Sequence, residues 1–321
     1  RVLGPDHPDT LSSRNNLASV HQKVGCHGEA IALYEQNLAD RLRVLGPDHS
    51  DTLSSRNNLA YAYESGGRLE EAIALYEQVL ADRTRVLGPD HSDTLSSRNN
   101  LAYAYESAGR LEEAIALYEE VLAVRTRVLG PDHPDTLSSR NNLAYAYESA
   151  GRLEEAIALY EEVLAVRTRV LGPDHPDTLS SRNNLAYAYE SAGRLKEAIV
   201  MLGGALADSL RVLGPDHPGT FIVRNNLAYA YESAGRLEEA IALYEEVLAV
   251  RMRILGSDHP HTLNSRNNLA GAYEGAGRLD DAIALYEEVL ADSTRVLGPN
   301  HPDTVLYRKN LEHAREERQR Q

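Results

Sequence analysis

The sequence predicts an all-α fold built from tandem antiparallel helix pairs. The main observation is the motif Leu-Gly-Pro-Asp-His, which recurs every 42 residues with few changes. Copies begin at Leu3, Leu45, Leu87, Leu129, Leu171, Leu213, Leu255 and Leu297. The second observation is that apolar residues between these motifs follow helical spacing. A period of this length is typical of a solenoid, in which each unit stacks on its neighbours.

We expect the whole chain to form one solenoid domain, because a helix pair cannot bury both of its faces alone. The predicted units are 1–42, 43–84, 85–126, 127–168, 169–210, 211–252 and 253–294. A polar half-unit at 295–321 is predicted to be a capping helix and the natural C-terminus of the parent protein.

The first helix of each unit is predicted to begin just after the motif. In the unit at 127–168, Asp132 is the expected N-cap, and Asp135 lies three residues later as in a capping box. Apolar residues then follow at helical spacing as far as Ala150. Gly151 is expected to end the helix in the position that glycine favours after a last turn.

A second helix is predicted to follow almost at once. Glu154 and Glu155 lie in its expected first turn, where the helix dipole favours negative charge. Arg167 and Arg169 lie near its expected end, where positive charge is favoured. Gly172 and the proline after it are expected to stop it. Each unit therefore reads as two antiparallel helices of about 17–19 residues joined by a tight turn.

Composition excludes several classes of function. The formal net charge is −15, whereas a protein that binds nucleic acid needs a basic surface. An anionic membrane surface is disfavoured for the same reason. The single cysteine, Cys26, excludes an internal disulfide. No signal peptide or spanning segment is visible, and we expect a cytoplasmic protein. Since the chain starts inside a repeat, we also expect it to be a fragment of a longer protein.

The repeats resemble tetratricopeptide repeats (TPR). The family's pattern of Leu-Gly/Ala, Tyr, Gly, Ala and Tyr/Phe is carried here by Leu143-Ala144, Tyr147, Gly151, Ala156 and Tyr160. The 42-residue unit and the motif Leu-Gly-Pro-Asp-His-Pro-Asp-Thr resemble the kinesin-light-chain variant, and bacterial signalling proteins with ATPase modules carry similar arrays. The resemblance covers essentially all 321 residues. One departure is that Arg98, Arg140 and Arg182 occupy positions that are usually apolar, so either they pair with carboxylates such as Glu120 or Glu162, or the helix contact differs.

The resemblance implies a right-handed superhelix whose first helices line a concave, peptide-binding face. By family register, one row on that face is Asn57, Asn99, Asn141, Asn183, Asn225 and Asn267. One turn further along the helices lie Tyr61, Tyr103, Tyr145, Tyr187 and Tyr229. A third row is Glu64, Glu106, Glu148, Glu190, Glu232 and Glu274, which would favour a basic ligand.

Structural interpretations of the same residues remain open. The first asparagine row could hydrogen-bond the neighbouring repeat, and the adjacent row (Asn58, Asn100, Asn142) is expected to be structural. Tyr63, Tyr105 and Tyr147 are expected to lie in the core. The glutamates could be only a solvated face. The motif histidines are too far apart to share a metal ion, so we expect them to pack the loop or cap helices.

Departures from the consensus are the most individual features of the chain. Gly203 and Gly204 replace two glutamates, and we expect this helix to be the weakest and able to bend. Phe221-Ile222-Val223 is expected to refill the space beside them, although an exposed patch is the alternative. Gly271 replaces a tyrosine of the predicted binding face. The changes around Cys26 are interpreted as decay rather than as a metal or nucleophile site.

We therefore expect a non-catalytic scaffold, with no cofactor and no metal, that binds a peptide or protein segment. Two other functions remain open. The array could be a regulatory or sensor arm that restrains an ATPase or effector module elsewhere in a larger protein. It could also be a self-assembly module. Neither nucleic acid nor a membrane is an expected partner.

Overall fold

The computed structural model describes residues 4–320, and within this range it contains fifteen α-helices and no strand. The first helices of the pairs are α1 (Pro8–Lys23), α3 (Ser50–Ser65), α5 (Ser92–Ser107), α7 (Pro134–Ser149), α9 (Pro176–Ser191), α11 (Pro218–Ser233) and α13 (Pro260–Gly275). The second helices are α2 (His27–Leu45), α4 (Leu69–Leu87), α6 (Leu111–Leu129), α8 (Leu153–Leu171), α10 (Leu195–Val212), α12 (Leu237–Leu255) and α14 (Leu279–Val296), and α15 (Pro302–Arg320) ends the series. The predicted all-α repeat fold is confirmed.

The chain divides into two compact units, the first ending at Leu159 and the second beginning at Tyr160. In the first unit, helices α1 to α7 pack in chain order, each against the next. In the second unit, α9 to α15 do the same. That the chain behaves as one solenoid domain stays a prediction. Within the part of the chain that the structure describes, every helix is too short or too polar to cross a bilayer.

The turn inside each pair has the geometry that its glycine predicts. In the α5–α6 turn, Gly109 has a φ of +74°, which glycine adopts without steric cost. Its N–H donates to Glu106 O at 2.9 Å, and the next N–H, of Arg110, donates to Tyr105 O at 2.8 Å. These two bonds form a Schellman motif, which satisfies carbonyl groups at the end of α5. Gly151 has the same role after α7, as predicted.

The predicted N-cap of the first helices is wrong by one residue. The N-cap of α7 is His133, not Asp132, and the helix begins at Pro134. His133 Nδ1 accepts a hydrogen bond from the backbone N–H of Asp135 at 3.1 Å, so Asp135 supplies a donor and not the return bond of a capping box. The capping role expected of the motif histidines is confirmed. The same bond forms at His7, His49, His91, His175, His217, His259 and His301.

Six second helices begin without a side-chain cap: α2, α4, α6, α10, α12 and α14. In α6 the N-cap position is Arg110, whose guanidinium instead pairs with Glu113 at 3.0 Å in the first turn. The helix ends before Gly130, whose φ of +93° breaks the helical path. The first-turn acidic residues and the last-turn arginine therefore follow the helix dipole, as the sequence predicts.

The core is continuous between neighbouring pairs within each unit. Small residues allow the helices to approach closely, and Ala102 of α5 and Ala114 of α6 are completely buried. One cluster in the first unit joins α1, α2 and α3 through Ala18, Ala30, Ile31, Tyr34, Leu59 and Ala62. A corresponding cluster in the second unit joins α13, α14 and α15 through Ala270, Ala282, Ile283, Tyr286, Leu311 and Ala314. Helix α15 thus buries one face and leaves a polar face exposed, as expected of a cap.

The irregular helix α10 is continuous, with Gly203 and Gly204 in its interior. Leu202 stands where other second helices have tyrosine and is fully buried. Val223 of α11 packs in the same cluster as Leu202 and Ala205. No neighbouring atom of the described residues lies within 4 Å of where a Cβ would lie at Gly203 or Gly204, so the expected refilling of the space beside the glycines is not observed. Phe221 is buried as well, whereas Ile222 is half exposed.

The arginines at the usually apolar position are held by acidic residues of the second helix. Arg98 of α5 contacts Glu120 of α6 at 3.4 Å, as the sequence analysis anticipated. In other repeats the equivalent arginine pairs with an aspartate of the second helix, as Arg56 does with Asp82 at 2.6 Å. Arg182 also pairs with an aspartate, Asp208. The arginine side chain is largely buried while its charge keeps a partner, so the first of the two alternatives holds for Arg98 and Arg182.

Candidate ligand-binding face

Each regular first helix places an asparagine, a tyrosine and a glutamate on one face, and we call this surface the Asn–Tyr–Glu face. In the first unit it comprises Asn57, Tyr61 and Glu64 on α3, Asn99, Tyr103 and Glu106 on α5, and Asn141, Tyr145 and Glu148 on α7. In the second unit it comprises Asn183, Tyr187 and Glu190 on α9, Asn225, Tyr229 and Glu232 on α11, and Asn267 and Glu274 on α13, where Gly271 replaces the tyrosine.

The tyrosines of this face are exposed although they are large and apolar. The exposed fraction of the residue is between 52% and 56% at Tyr61, Tyr103, Tyr145, Tyr187 and Tyr229. An aromatic side chain that is exposed at the same position of several repeats is unusual on the surface of a soluble protein and is typical of a surface that binds another protein. The tyrosine ring gives apolar area, and its hydroxyl can donate or accept a hydrogen bond.

The asparagines of the first row are less exposed than the tyrosines, and asparagines of both rows connect neighbouring repeats. Asn100 Nδ2 of α5 donates to Asn57 Oδ1 of α3 at 2.9 Å. The same bond joins Asn58 to Asn15 and Asn310 to Asn267. The second asparagine row therefore has the expected structural role at Asn58 and Asn100. In the first asparagine row, Asn57 and Asn267 accept these inter-repeat hydrogen bonds, so the structural interpretation of the first row holds for these two residues.

Four asparagines of the first row keep an unused acceptor. The side-chain oxygens of Asn99 and Asn141 in the first unit, and of Asn183 and Asn225 in the second, are buried and accept no hydrogen bond from a described residue. Leaving a buried carbonyl unpaired costs about 1–3 kcal/mol. This part of the face therefore has acceptor capacity that the fold itself does not use.

The glutamates are half buried and form part of the wall of the face. Glu106 accepts a hydrogen bond from Ser149 Oγ of the next repeat at 3.0 Å, and Glu190 accepts from Ser233 Oγ at 2.8 Å. Burial raises the pKa of Glu106, although the hydrogen bonds from Ser149 and Tyr118 oppose the shift. Burial likewise raises the pKa of Glu190, with bonding to Ser233 acting against it. These carboxylates are not merely a solvated surface.

Tyrosines of the second helices also reach this face, which the sequence analysis missed. The Tyr76 hydroxyl of α4 donates to Glu64 Oε2 at 3.1 Å, and the Tyr244 hydroxyl donates to Glu232 Oε2 at 3.2 Å. Burial, reinforced by the neighbouring glutamate, raises the pKa of Tyr76 and keeps its hydroxyl protonated. The rings of Tyr76 and Tyr244 are buried, as helical spacing alone would suggest, and only their hydroxyls reach the glutamates. The tyrosine recurs in most second helices at the same distance after the glutamate, and this recurrence was the sequence signal that could have indicated the contact.

The expected face residues converge on small concavities. In the first unit a pocket of about 250 Å³ is lined by Asn99, Asn100, Tyr103, Glu106, Tyr118, Asn142 and Tyr145. Its walls come from α5, α6 and α7, so two consecutive repeats contribute to one pocket. Carboxylate and amide oxygens line the pocket together with tyrosine rings. The pocket therefore suits a ligand that donates hydrogen bonds.

The core tyrosines lie away from this face. Tyr105 and Tyr147 are 9% exposed, and Tyr63 is partly buried, so the predicted core position is confirmed for the first two and approached by the third. The Tyr105 hydroxyl donates to Glu77 at 2.7 Å, and the Arg110 guanidinium lies 4.2 Å from the centre of its ring. Each such group fastens one pair to the preceding one.

Comparisons with known proteins agree with this geometry. The sequence matches the model of the tetratricopeptide repeat family over seven overlapping segments, residues 9–85, 60–125, 93–167, 140–207, 183–252, 220–293 and 266–321. A search of curated proteins by sequence gave no match.

Similar solved structures carry the same kind of repeat. A Podosopora anserina protein assigned as a kinesin light chain, with nearly identical TPR-like repeats, is 36% identical, with 64% of this chain and 97% of that chain covered and a TM-score of 0.58. BtubC (BKLC) of P. vanneervenii is 24% identical over 73% of this chain and 94% of that chain, with a TM-score of 0.60. A tetratricopeptide repeat protein of Parabacteroides merdae is 15% identical over 97% and 99%, with a TM-score of 0.61. The last two show similarity of fold alone.

Proposed function

This chain belongs to the tetratricopeptide repeat family, whose members are generally protein-interaction scaffolds, and we propose that it binds an extended basic peptide segment on its Asn–Tyr–Glu face. The observation that carries the proposal is the exposed tyrosine that recurs on the first helices. Each of these tyrosines is more than half exposed and is flanked by acceptor groups. A ring next to acceptors suits a partner that has both apolar stems and hydrogen-bond donors, as lysine and arginine do.

The surplus of acceptors supports a donor-rich ligand. The glutamate row offers carboxylates to a ligand. The asparagine row adds oxygens that no described residue satisfies, and because these oxygens are buried, a ligand reaches them only after the asparagine side chain rotates. A ligand would supply the matching hydrogen-bond donors through its backbone N–H groups and its cationic side chains. The net charge of −15 favours the same class of ligand through long-range attraction.

The near-identity of the repeats supports a periodic ligand. Residues 85–126 and 127–168 are nearly the same in sequence, and their face residues are the same in type. Successive repeats therefore present the same chemistry at regular intervals. A ligand in which basic residues alternate regularly would use several repeats with one kind of contact.

The test is the binding of a labelled peptide that alternates lysine and serine, about twelve residues long and roughly 40 Å when extended. Fluorescence anisotropy would compare the unchanged protein with a variant that carries Tyr103→Ala, Tyr145→Ala and Tyr187→Ala. We expect the unchanged protein to bind and the variant to lose most of its affinity, because three aromatic contacts are removed without a change in the buried core.

The matched control is a variant with Val86→Ala, Val128→Ala and Val170→Ala. These valines are also exposed, by 41% to 55%, but lie at the ends of second helices. Circular dichroism would establish that both variants keep their helical content. Binding that survives the tyrosine changes, or a glutamate–serine peptide that binds as well as the lysine–serine peptide, would refute the proposal.

The TPR fold is typically non-enzymatic, and we propose a non-catalytic role for this chain as well. A cytoplasmic location and a bacterial origin stay predictions. The regulatory-arm and self-assembly functions also stay predictions. Activation of the parent protein when the array is deleted would support the arm, and a mass that rises with concentration in light scattering would support self-assembly.

A further inference from the structure

The Asn–Tyr–Glu pattern changes at the end of the second unit. Gly271 of α13 removes the tyrosine, and one 42-residue period later His313 of α15 occupies the equivalent position. The asparagine position before it is Lys309, one period after Asn267. This end of the face therefore carries an imidazole where the other repeats carry a phenol.

The imidazole lies against two carboxylates. His313 Nδ1 is 2.7 Å from Glu274 Oε1 of α13. Glu317 follows His313 by one helical turn on α15, which puts both side chains on the same side of the helix. One ligand atom from each of Glu274, His313 and Glu317 lies within 4.8 Å of the other two.

The missing tyrosine leaves space next to this cluster. A pocket of about 450 Å³ is lined by Glu232, Gly271, Glu274 and His313, among others. It is larger than the pocket of about 250 Å³ at Tyr103 and Tyr145 in the first unit. The space next to Gly271 can hold water molecules or a ligand group beside an ion held by the three side chains.

A second hydrogen bond orients one member of the cluster. The Tyr286 hydroxyl of α14 donates to Glu274 Oε2 at 3.0 Å, which leaves Oε1 directed at His313. The Glu274 side chain is 15% exposed and therefore well fixed, whereas that of His313 is 63% exposed and can adjust. An ordered carboxylate with an outer hydrogen-bond donor is the arrangement that supports metal ligands in proteins.

We infer that Glu274, His313 and Glu317 form a binding site for a divalent transition-metal ion of the Zn²⁺ class. One imidazole nitrogen and two carboxylate oxygens are ligands that Zn²⁺ accepts at about 2.0–2.2 Å. The ion would replace the proton shared between His313 Nδ1 and Glu274 Oε1, and that proton passes to solvent. Water from the adjacent pocket would complete the coordination, since only three ligands come from the protein.

The site differs from the other histidines of the chain. The motif histidines use Nδ1 to cap helices, and each of those caps belongs to one repeat. His313 instead faces carboxylates from two helices. The same three side chains could also form only an ion pair between α13 and α15, and metal binding distinguishes these two cases.

The experiment is isothermal titration of Zn²⁺ alone into the untagged full chain. We expect one ion per chain. His313→Ala should weaken binding at least about 100-fold, because loss of an outer-shell partner alone costs 10–100-fold. Glu317→Gln should weaken it as well, and Co²⁺ should give visible absorption that is lost in the same variants.

The control is His261→Ala, which removes another exposed histidine of the second unit outside the cluster. This variant should bind Zn²⁺ as the unchanged protein does. No binding by the unchanged protein would overturn the site, and so would equal affinity in His313→Ala or loss of the ion in His261→Ala. Helical content measured by circular dichroism would establish that each variant is folded.

Discussion

The motif histidine is the residue that determines where each first helix begins. Aspartate precedes it in most copies and is a better-known N-cap, yet the backbone puts His133 Nδ1, and not the Asp132 carboxylate, next to the free N–H of Asp135. Asp132 makes other contacts instead. The equivalent aspartate Asp90 shows one of these, since its carboxylate pairs with Arg127 of α6 at 2.7 Å.

We expect His133→Ala to lower the free energy of unfolding by about 1 kcal/mol, within the range of roughly 0.5–2 kcal/mol measured for lost N-caps. His133→Asn should retain most of the stability, because its side-chain oxygen can accept from the same N–H. Urea unfolding followed by circular dichroism would measure both. If the alanine variant were as stable as the unchanged protein, the cap would have no energetic role.

The half-buried Glu106 gives a pH-dependent prediction. Burial is the main cause that raises its pKa, so folding disfavours the charged form. Its contribution to stability is therefore fully present below the unfolded pKa of about 4.3 and is lost as the pH rises through the higher folded pKa. Glu106→Gln keeps an acceptor for Ser149 and removes the charge. We expect this variant to be more stable than the unchanged protein at neutral pH.

The gain should vanish at about pH 3, more than one unit below the unfolded pKa, where the glutamate is almost fully protonated in both states. Thermal unfolding at the two pH values would measure it. Glu112→Gln is the control: it removes one exposed charge outside the Asn–Tyr–Glu face, and because a negative charge is favourable in the first turn of α6, its removal should give no gain in stability at neutral pH. The same Glu106→Gln change should weaken the binding of the lysine–serine peptide, so stability and function should move in opposite directions. A stability gain that persists at low pH would contradict burial as the cause.

At the scale of single elements, α10 departs most from the repeated pattern. Its two interior glycines raise the conformational entropy that must be lost on folding. Neither Gly203 nor Gly204 has an atom outside its own helix within 4 Å of where a Cβ would lie, so alanine fits at both positions. The helix nevertheless remains continuous, and Leu202 and Ala205 on its buried side pack against Val223 of α11.

We expect Gly203→Ala with Gly204→Ala to raise the free energy of unfolding by about 1–2 kcal/mol, since each glycine costs about 0.8–1 kcal/mol in a helix. Hydrogen exchange should also slow in α10 relative to α12. Gly193→Ala is the opposite control, because Gly193 has a φ of +71° and alanine there is strained. Exchange in α10 that is already as slow as in α12 before the change would show that the helix is not weak.

At the scale of the whole molecule, the sequence predicts what repeats and misses what depends on contacts between repeats. The period and the glycines with positive φ predict the helix pairs, because those signals are local. The bond from Asn100 to Asn57 joins residues 43 positions apart, and it decides which asparagine is structural. The Tyr76 hydroxyl reaches Glu64 from the other helix of its pair. The Glu274–His313 contact requires the half-unit to be aligned with the repeat before it.

The charge of the whole chain gives the last prediction. With a net charge of −15, long-range attraction should strengthen the binding of the lysine–serine peptide at low salt. The Debye length falls from about 10 Å at 0.1 M to about 3 Å at 1 M ionic strength, so this attraction should be screened.

Between these two salt concentrations we expect roughly a tenfold loss of affinity, which equals about 1.4 kcal/mol and matches two or three exposed charge pairs. The contribution of the tyrosines should not be screened, since it comes from apolar burial. The ratio of the affinity of the unchanged protein to that of the variant without Tyr103, Tyr145 and Tyr187 should therefore be the same at both salt concentrations. Anisotropy titrations across the salt series would measure both effects. A tyrosine effect that disappears at high salt would mean that the rings only position the charges and do not contact the ligand.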